Sequence, residues 1–226
     1  MKKITEILLL LASLLVFASC GGDRTVEIDE HAFLAEAKLL LSEADALNAV
    51  LFEPSGIPVN DEGFTSGKYK EVYLYQNDGF DKISIAAIKE KTARVYTTDM
   101  IATVNMLVWN PQIANGEPIR YARYIEYWSG DEDHPQNGTL MAYTGITEYW
   151  SDAISIDTDS VTLVSAVEEA KTGKTVVTVT ADVTVTNEKG DTQTRNLDFR
   201  FVLTDDGYRL DDLVTLVYDE SLKIKG

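Results

Sequence analysis

The chain divides by the period of its apolar positions. Phe33, Ala37, Leu40, Ala44, Leu47 and Leu51 recur at steps of three and four, and Leu34 and Leu41 widen the stripe. The spacing predicts an amphipathic helix with Asp29 as its N-cap and Pro54-Ser55-Gly56 beyond its end. Residues 56–67 carry Pro58 and three glycines and read as loop, and 68–75 reads as a short strand. Ser84 caps a second helix with Ile85, Ile88, Thr92 and Val95 on its inner face. Thr97 or Thr98 caps a third, with Ile101, Val104 and Leu107 or Val108 facing inward, and Asn110-Pro111 closes it.

From Ile119 onward the period changes to two. Val177, Val179, Ala181, Val183 and Val185 alternate with Thr178, Thr180, Asp182, Thr184 and Thr186. After a turn at Asn187-Glu188-Lys189-Gly190, Leu197, Phe199, Phe201 and Leu203 alternate with Asn196, Asp198 and Arg200. This pattern predicts a long hairpin with one buried and one wet face. Residues 119–128, 139–144, 160–167 and 208–217 supply further strands, while Asp157-Thr158-Asp159 and Asp205-Asp206-Gly207 read as turns. Helices followed by a run of strands predict an α+β domain, its N-terminal helices packed against a bent antiparallel sheet.

The N-terminus follows a different logic. Lys2 and Lys3 precede an apolar run over 7–17, which as a helix spans about 16 Å, roughly half the hydrocarbon core of a bilayer. The run reads as a signal-peptide core rather than a membrane span. Phe17-Ala18-Ser19-Cys20 resembles the lipobox of bacterial lipoproteins, which implies cleavage before Cys20 and lipidation of its thiol. An ordinary secretory peptide with a free cysteine is the plainer alternative. The resulting organisation is a signal peptide over 1–19, a lipidated tether over 20–28 and one α+β domain over 29–226, outside the cytoplasm on a bacterial cell membrane or outer membrane. Gly21 is not the aspartate associated with inner-membrane retention.

Charge narrows the partners. A net charge of −17 argues against nucleic acid and against electrostatic attachment to anionic headgroups, leaving the lipid on Cys20 as the membrane contact. It steers instead toward a basic partner. One cysteine excludes a disulfide framework, and two histidines make a multi-histidine metal site implausible. His31 sits in a helical first turn and His134 in an acidic loop; both read as solvated. No nucleophile elbow, zinc-helix motif or phosphate-cradling glycine loop is present. The loop from Asp131 fails the EF-hand pattern, with Pro135 at position five and glycine only at Gly138, so it reads as a solvated loop or an irregular weak calcium site. No cofactor or metal is expected, and no enzymatic activity.

One feature points to recognition. Glu126-Tyr127-Trp128-Ser129 recurs as Glu148-Tyr149-Trp150-Ser151, with Asp131 and Asp152 close behind. Adjacent Tyr and Trp in a strand face opposite sides, so one ring of each pair lies outside the core. Such rings serve either as cross-strand packing or as a binding rim. The candidate rim is Tyr127, Trp128, Asp131, Glu132, Asp133, Tyr149, Trp150 and Asp152.

Three helices followed by a meandering sheet resemble the cystatin-like and nuclear transport factor 2-like superfamily, whose bent sheet wraps its helices into a cone. Ile88-Lys89-Glu90-Lys91-Thr92-Ala93-Arg94-Val95-Tyr96-Thr97-Thr98-Asp99-Met100-Ile101 and the terminal hairpin are similar to secreted bacterial inhibitors of cell-wall DL-endopeptidases. The resemblance implies a non-enzymatic binding module that regulates or masks a cell-wall hydrolase. A small-ligand-binding or isomerase/lyase-type protein using the cone's interior is the alternative. Because inward strand positions are Val, Ala, Leu and Phe, a filled interior is expected.

Overall fold

The computed structural model describes residues 22–54, 56–73, 84–110, 112–114, 117–145 and 152–213. Cys20 and its lipobox lie outside the described residues, as do Tyr149 and Trp150. The fold is α+β. In order come β1 (Arg24–Thr25), α1 (Glu30–Leu51), β2 (Thr65–Ser66), β3 (Tyr69–Glu71), α2 (Ile85–Val95), α3 (Thr98–Val104) and a π-helical turn (Asn105–Trp109). There follow β4 (Gln112–Ala114), β5 (Glu117–Arg120), β6 (Tyr124–Glu126), β7 (Leu140–Tyr143), β8 (Ala153–Glu168), β9 (Thr175–Thr186), β10 (Thr192–Thr204) and β11 (Gly207–Leu210).

The strands form a five-stranded sheet β1-β8-β9-β10-β11, a four-stranded sheet β2-β3-β7-β6 and the small hairpin β4-β5, all antiparallel. The single meandering sheet expected from the sequence is thus divided. Residues 119–128 do not run as one strand: β5 ends at Arg120, and β6 starts at Tyr124 after Arg123 has turned toward α1.

The long hairpin behaves as its alternation requires. Val177, Val179, Ala181, Val183, Phe199 and Phe201 are fully buried against α1, whose Phe33 ring meets Phe201 edge-on at 5.6 Å. On the wet face Thr162 bonds Thr180 at 2.9 Å, Thr184 bonds Thr194 at 2.8 Å, and Asn196 donates to Asp182 at 2.9 Å. Leu203 departs from the pattern and is 43% exposed, whereas Val202 on the opposite face is buried. At this end the α2–α3 junction pairs along the edge of β11: Tyr96 bridges Leu210, Thr97 N–H donates to Leu210 O at 3.0 Å, and Val202 lines a hollow with Tyr96, Thr97 and Ile101.

Asp157-Thr158-Asp159 does not end a strand. Register shifts fall between Asp157 and Thr162 and between Leu163 and Ser165, so the turn-like residues form a bulge inside β8, tied by Asp159 N–H donating to Asp157 Oδ1 at 2.9 Å. The stretch read as a tether is partly docked: Arg24 and Thr25 pair with Glu168 and Val167, and Val26 N–H donates to Ala166 O at 3.0 Å.

Each helix start carries its expected N-cap residue. Asp29 accepts from Ala32 N–H at 3.0 Å and Ser84 from Ala87 N–H at 3.1 Å. Thr97 precedes α3 but makes no side-chain cap bond, because its hydroxyl donates to Asp211. The end of α1 is closed from outside the helix. Arg123, 5% exposed, donates from Nη1 to Leu51 O at 3.0 Å and from Nη2 to Glu53 O, while Tyr124 Oη donates to Val50 O at 2.7 Å and accepts from Ile57 N–H at 2.9 Å. A cation against the last carbonyls also suits the helix dipole. Gly56, at φ +47°, allows the chain past this joint; a Cβ there would overlap Arg123 Nη2 and lie 2.6 Å from Tyr124 Oη.

Candidate functional site

The four-stranded sheet has two faces of different character. Tyr124, Leu140 and Ala142 face the core. Tyr69 and Tyr143 are directly paired across β3 and β7, on the other face. Tyr121 stacks on Tyr143 with centroids 4.7 Å apart and planes 12° from parallel, and Tyr69 meets Tyr143 edge-on at 5.7 Å. The Lys68 ammonium sits 4.5 Å over the Tyr121 ring. Tyr69 Oη donates to Ala122 O at 3.0 Å, and burial pushes the phenol up to about 12, so it stays protonated.

A second aromatic group stands where β6 leaves for its loop. Tyr127 meets Phe64 edge-on at 4.7 Å, and the His134 ring lies 5.6 Å from Tyr127. His134, expected to be solvated, is therefore half-packed, and its Nδ1 accepts from Gln136 N–H at 3.2 Å. Trp128 is 64% exposed, the most exposed large apolar side chain among the described residues.

Residues 129–138 hold their own shape. Ser129 N–H donates to Asn137 Oδ1 at 3.0 Å, Asn137 Nδ2 donates to Asp131 O at 2.6 Å, and Asp133 N–H donates to Asp131 Oδ1 at 3.2 Å. Asp131, Glu132 and Asp133 are exposed at the loop tip. Among the described residues no group of three His, Cys, Asp or Glu is placed to hold a metal ion. The structure thus brings Tyr127, Trp128, Asp131, Glu132 and Asp133 onto one loop. Asp152, half-buried, immediately precedes β8 in the other sheet. Sequence reasoning missed Phe64, Tyr69, Tyr121 and Tyr143, whose dispersed positions meet only through strand pairing.

Hollows among the described residues carry ionisable groups, and two of them bring carboxylates together with basic side chains. The larger, an open cleft of about 750 Å³, lies between α1, the end of α2 and the start of β8. Asp45 Oδ1 accepts from Ile156 N–H at 2.9 Å and Glu53 Oε1 from Ile154 N–H at 3.2 Å, and burial raises both carboxyl pKa values. Lys91 is 7% exposed, and burial lowers its pKa. Arg94 grips Glu43 with Nη2 at 2.7 Å and Nε at 3.2 Å. Asp45 and Ala49 share one face of α1, and Glu53 follows two residues beyond its end.

The second hollow, about 430 Å³, lies between the α2–α3 junction and the outer face of β10. Arg200 pairs there with Glu169 at 2.8 Å and with Asp211, while its backbone N–H donates to Asp212. This network ties β10 and β11 to Thr97 and fills its own charges.

No family model, curated protein or solved structure matches this chain.

Burial pushes the Asp212 carboxyl up from 3.8 to about 6. The folded state therefore binds this proton more tightly than the unfolded one, and stability falls as pH rises from about 4 to about 6. Asp212→Asn, which keeps an acceptor for Arg200 N–H, should be more stable than wild type at pH 7 by on the order of 2 kcal/mol. The difference should vanish near pH 4; denaturant unfolding at the two pH values checks it.

Proposed function

We propose that this protein is a non-enzymatic, lipid-anchored binding module outside the bacterial cytoplasm, and that it masks or regulates a cell-wall hydrolase. The observation that carries the binding half is the aromatic face of the four-stranded sheet, together with the exposed Trp128 and the acidic loop that follow β6. Isolated exposed apolar residues are ordinary on protein surfaces, whereas clustered half-exposed rings with an aromatic anchor at their edge are typical of recognition surfaces. Trp128 supplies the anchor, and Asp131, Glu132 and Asp133 supply a field that attracts a basic partner. The packed interior supports binding over isomerase or lyase chemistry within the sheet's concavity, because Val177, Val179, Phe199 and Phe201 occupy that space.

The anchoring half rests on the sequence before Gly21. Among the described residues no helix is long and apolar enough to cross a membrane, so attachment would fall to acyl chains on Cys20. With Arg24 and Thr25 docked on β8, the chain between anchor and domain is short, which would hold the binding face near the bilayer.

Mass spectrometry of the mature protein should find Cys20 as a diacylated or triacylated N-terminus, and Cys20→Ala should abolish it. An unmodified mature N-terminus at another residue would contradict the anchor. For the partner, a purified cell-wall DL-endopeptidase with a basic surface should bind the mature protein and lose hydrolytic activity. Trp128→Ala should weaken that binding about tenfold or more. Replacing Asp131, Glu132 and Asp133 by their amides should slow association and flatten its salt dependence. Full binding by all these variants, or none by the wild type, would overturn the reading.

A further inference from the structure

Leu203 breaks the pattern of the long hairpin for a reason that lies in α1. Alternation along β10 puts it on the core face with Phe199 and Phe201, and it pairs with Tyr208 of β11, yet it is 43% exposed. The helix that covers this face begins only at Glu30. Its Phe33 ring reaches Phe201 at 5.6 Å and Tyr208 at 4.8 Å, and the end of the sheet at Leu203 is left uncovered. Val26 and Ile28, on the approach to α1, close the far side. With Phe33, Leu203 and Tyr208 they line a groove of about 370 Å³, an end of the core that opens to solvent.

The charges on this groove are of one sign. Glu27, Asp29 and Glu36 border the apolar floor, and no Lys, Arg or His lines it. None of the three carboxylates is ion-paired among the described residues. Asp29 and Glu36 are held in place by backbone donors, Ala32 N–H at 3.0 Å and Tyr208 N–H at 3.2 Å. Arg209, next to Tyr208 in sequence, lines the other hollow, beyond the outer face of β10.

An apolar floor with an acidic rim selects its occupant. A fatty acid or acidic peptide would be repelled by the rim, and a neutral apolar ligand would desolvate carboxylates without pairing them. Apolar side chains flanked by cations satisfy both parts, and the net charge of −17 attracts the same class of partner. We propose that this groove docks a basic, apolar segment of a partner protein, with leucine-like side chains on Leu203, Tyr208 and Phe33 and flanking lysines or arginines on Glu27, Asp29 and Glu36. The volume lies near the small end of ligand sites, which suits a few side chains of a peptide. This groove does not include Trp128 and does not rest on the function proposed for the aromatic face.

The test is calorimetric titration of the mature protein at low salt with three capped tetrapeptides: acetyl-Lys-Leu-Leu-Lys-amide, acetyl-Glu-Leu-Leu-Glu-amide and acetyl-Lys-Ser-Ser-Lys-amide. The first should bind, and the other two should bind about tenfold more weakly or worse, since each lacks one half of the match. Added salt should weaken the first. Leu203→Ser, at an exposed side chain, should weaken it about fivefold. The Glu27→Gln/Asp29→Asn/Glu36→Gln variant keeps the acceptors for Ala32 and Tyr208 N–H and should erase the preference for lysine over glutamate. Trp128→Ala should change nothing. Equal affinity for the lysine and glutamate peptides, no binding of the first at about 10 mM, or binding that responds to Trp128→Ala and not to Leu203→Ser overturns the proposal; the peptide comparison on the wild type stands even if a variant fails to fold.

Discussion

The structure turns on how the last carbonyls of α1 are satisfied. A helix ending inside a protein leaves acceptors that must find donors, and here Arg123 and Tyr124 supply them to Val50, Leu51 and Glu53. The same two residues belong to the approach and first position of β6, so one buried joint fixes the four-stranded sheet to the helix that organises the five-stranded one. Backbone bonds continue the coupling: Arg123 N–H donates to Val108 O at 2.7 Å and Tyr143 N–H to Arg123 O at 2.9 Å. A buried guanidinium is tolerable only when its donors are matched, and Leu51 O, Glu53 O and Tyr124 Oη match them.

From this joint follow the aromatic face and the open cleft beside α1. The sheet it anchors turns Tyr124 inward and therefore leaves Tyr69 and Tyr143 on the outer face, with Tyr127 and Trp128 where β6 runs out. The helix it closes carries Asp45, and Glu53 follows just past its end, both beside the start of β8. Their carboxylates also protect the N–H groups of Ile154 and Ile156, donors that an unpaired strand edge would expose to other chains.

Much of the fold was legible because local and global signals agreed. The α1 stripe, the Asp29 and Ser84 caps and the alternation of β9 with β10 each follow from a period or a cap residue readable within a few positions. What escaped depends on distant pairing. Arg123 reads locally as one more strand residue, and nothing nearby reveals carbonyls some seventy positions earlier in the chain. Asp157-Thr158-Asp159 has turn chemistry, yet β8 absorbs it as a bulge because Ile154, Ile156 and Val161 on either side are all drawn into the core. The candidate rim was half legible: the Tyr127-Trp128 pair announced exposed rings, but the tyrosines of β3, β7 and residue 121 meet only after the strands register. Lys91 was hidden by sitting between Ile88 and Val95 on a helix face that reads as apolar.

Hydrogen exchange of Arg123→Met against wild type tests the joint most directly. The substitution keeps apolar bulk but removes the donors to Leu51 and Glu53. If the joint couples the four-stranded sheet to α1, amides of β3, β6 and β7 and of the last turn of α1 lose protection, while those of β9 and β10 keep theirs. Unchanged protection in the four-stranded sheet, or equal loss in both sheets, would contradict it.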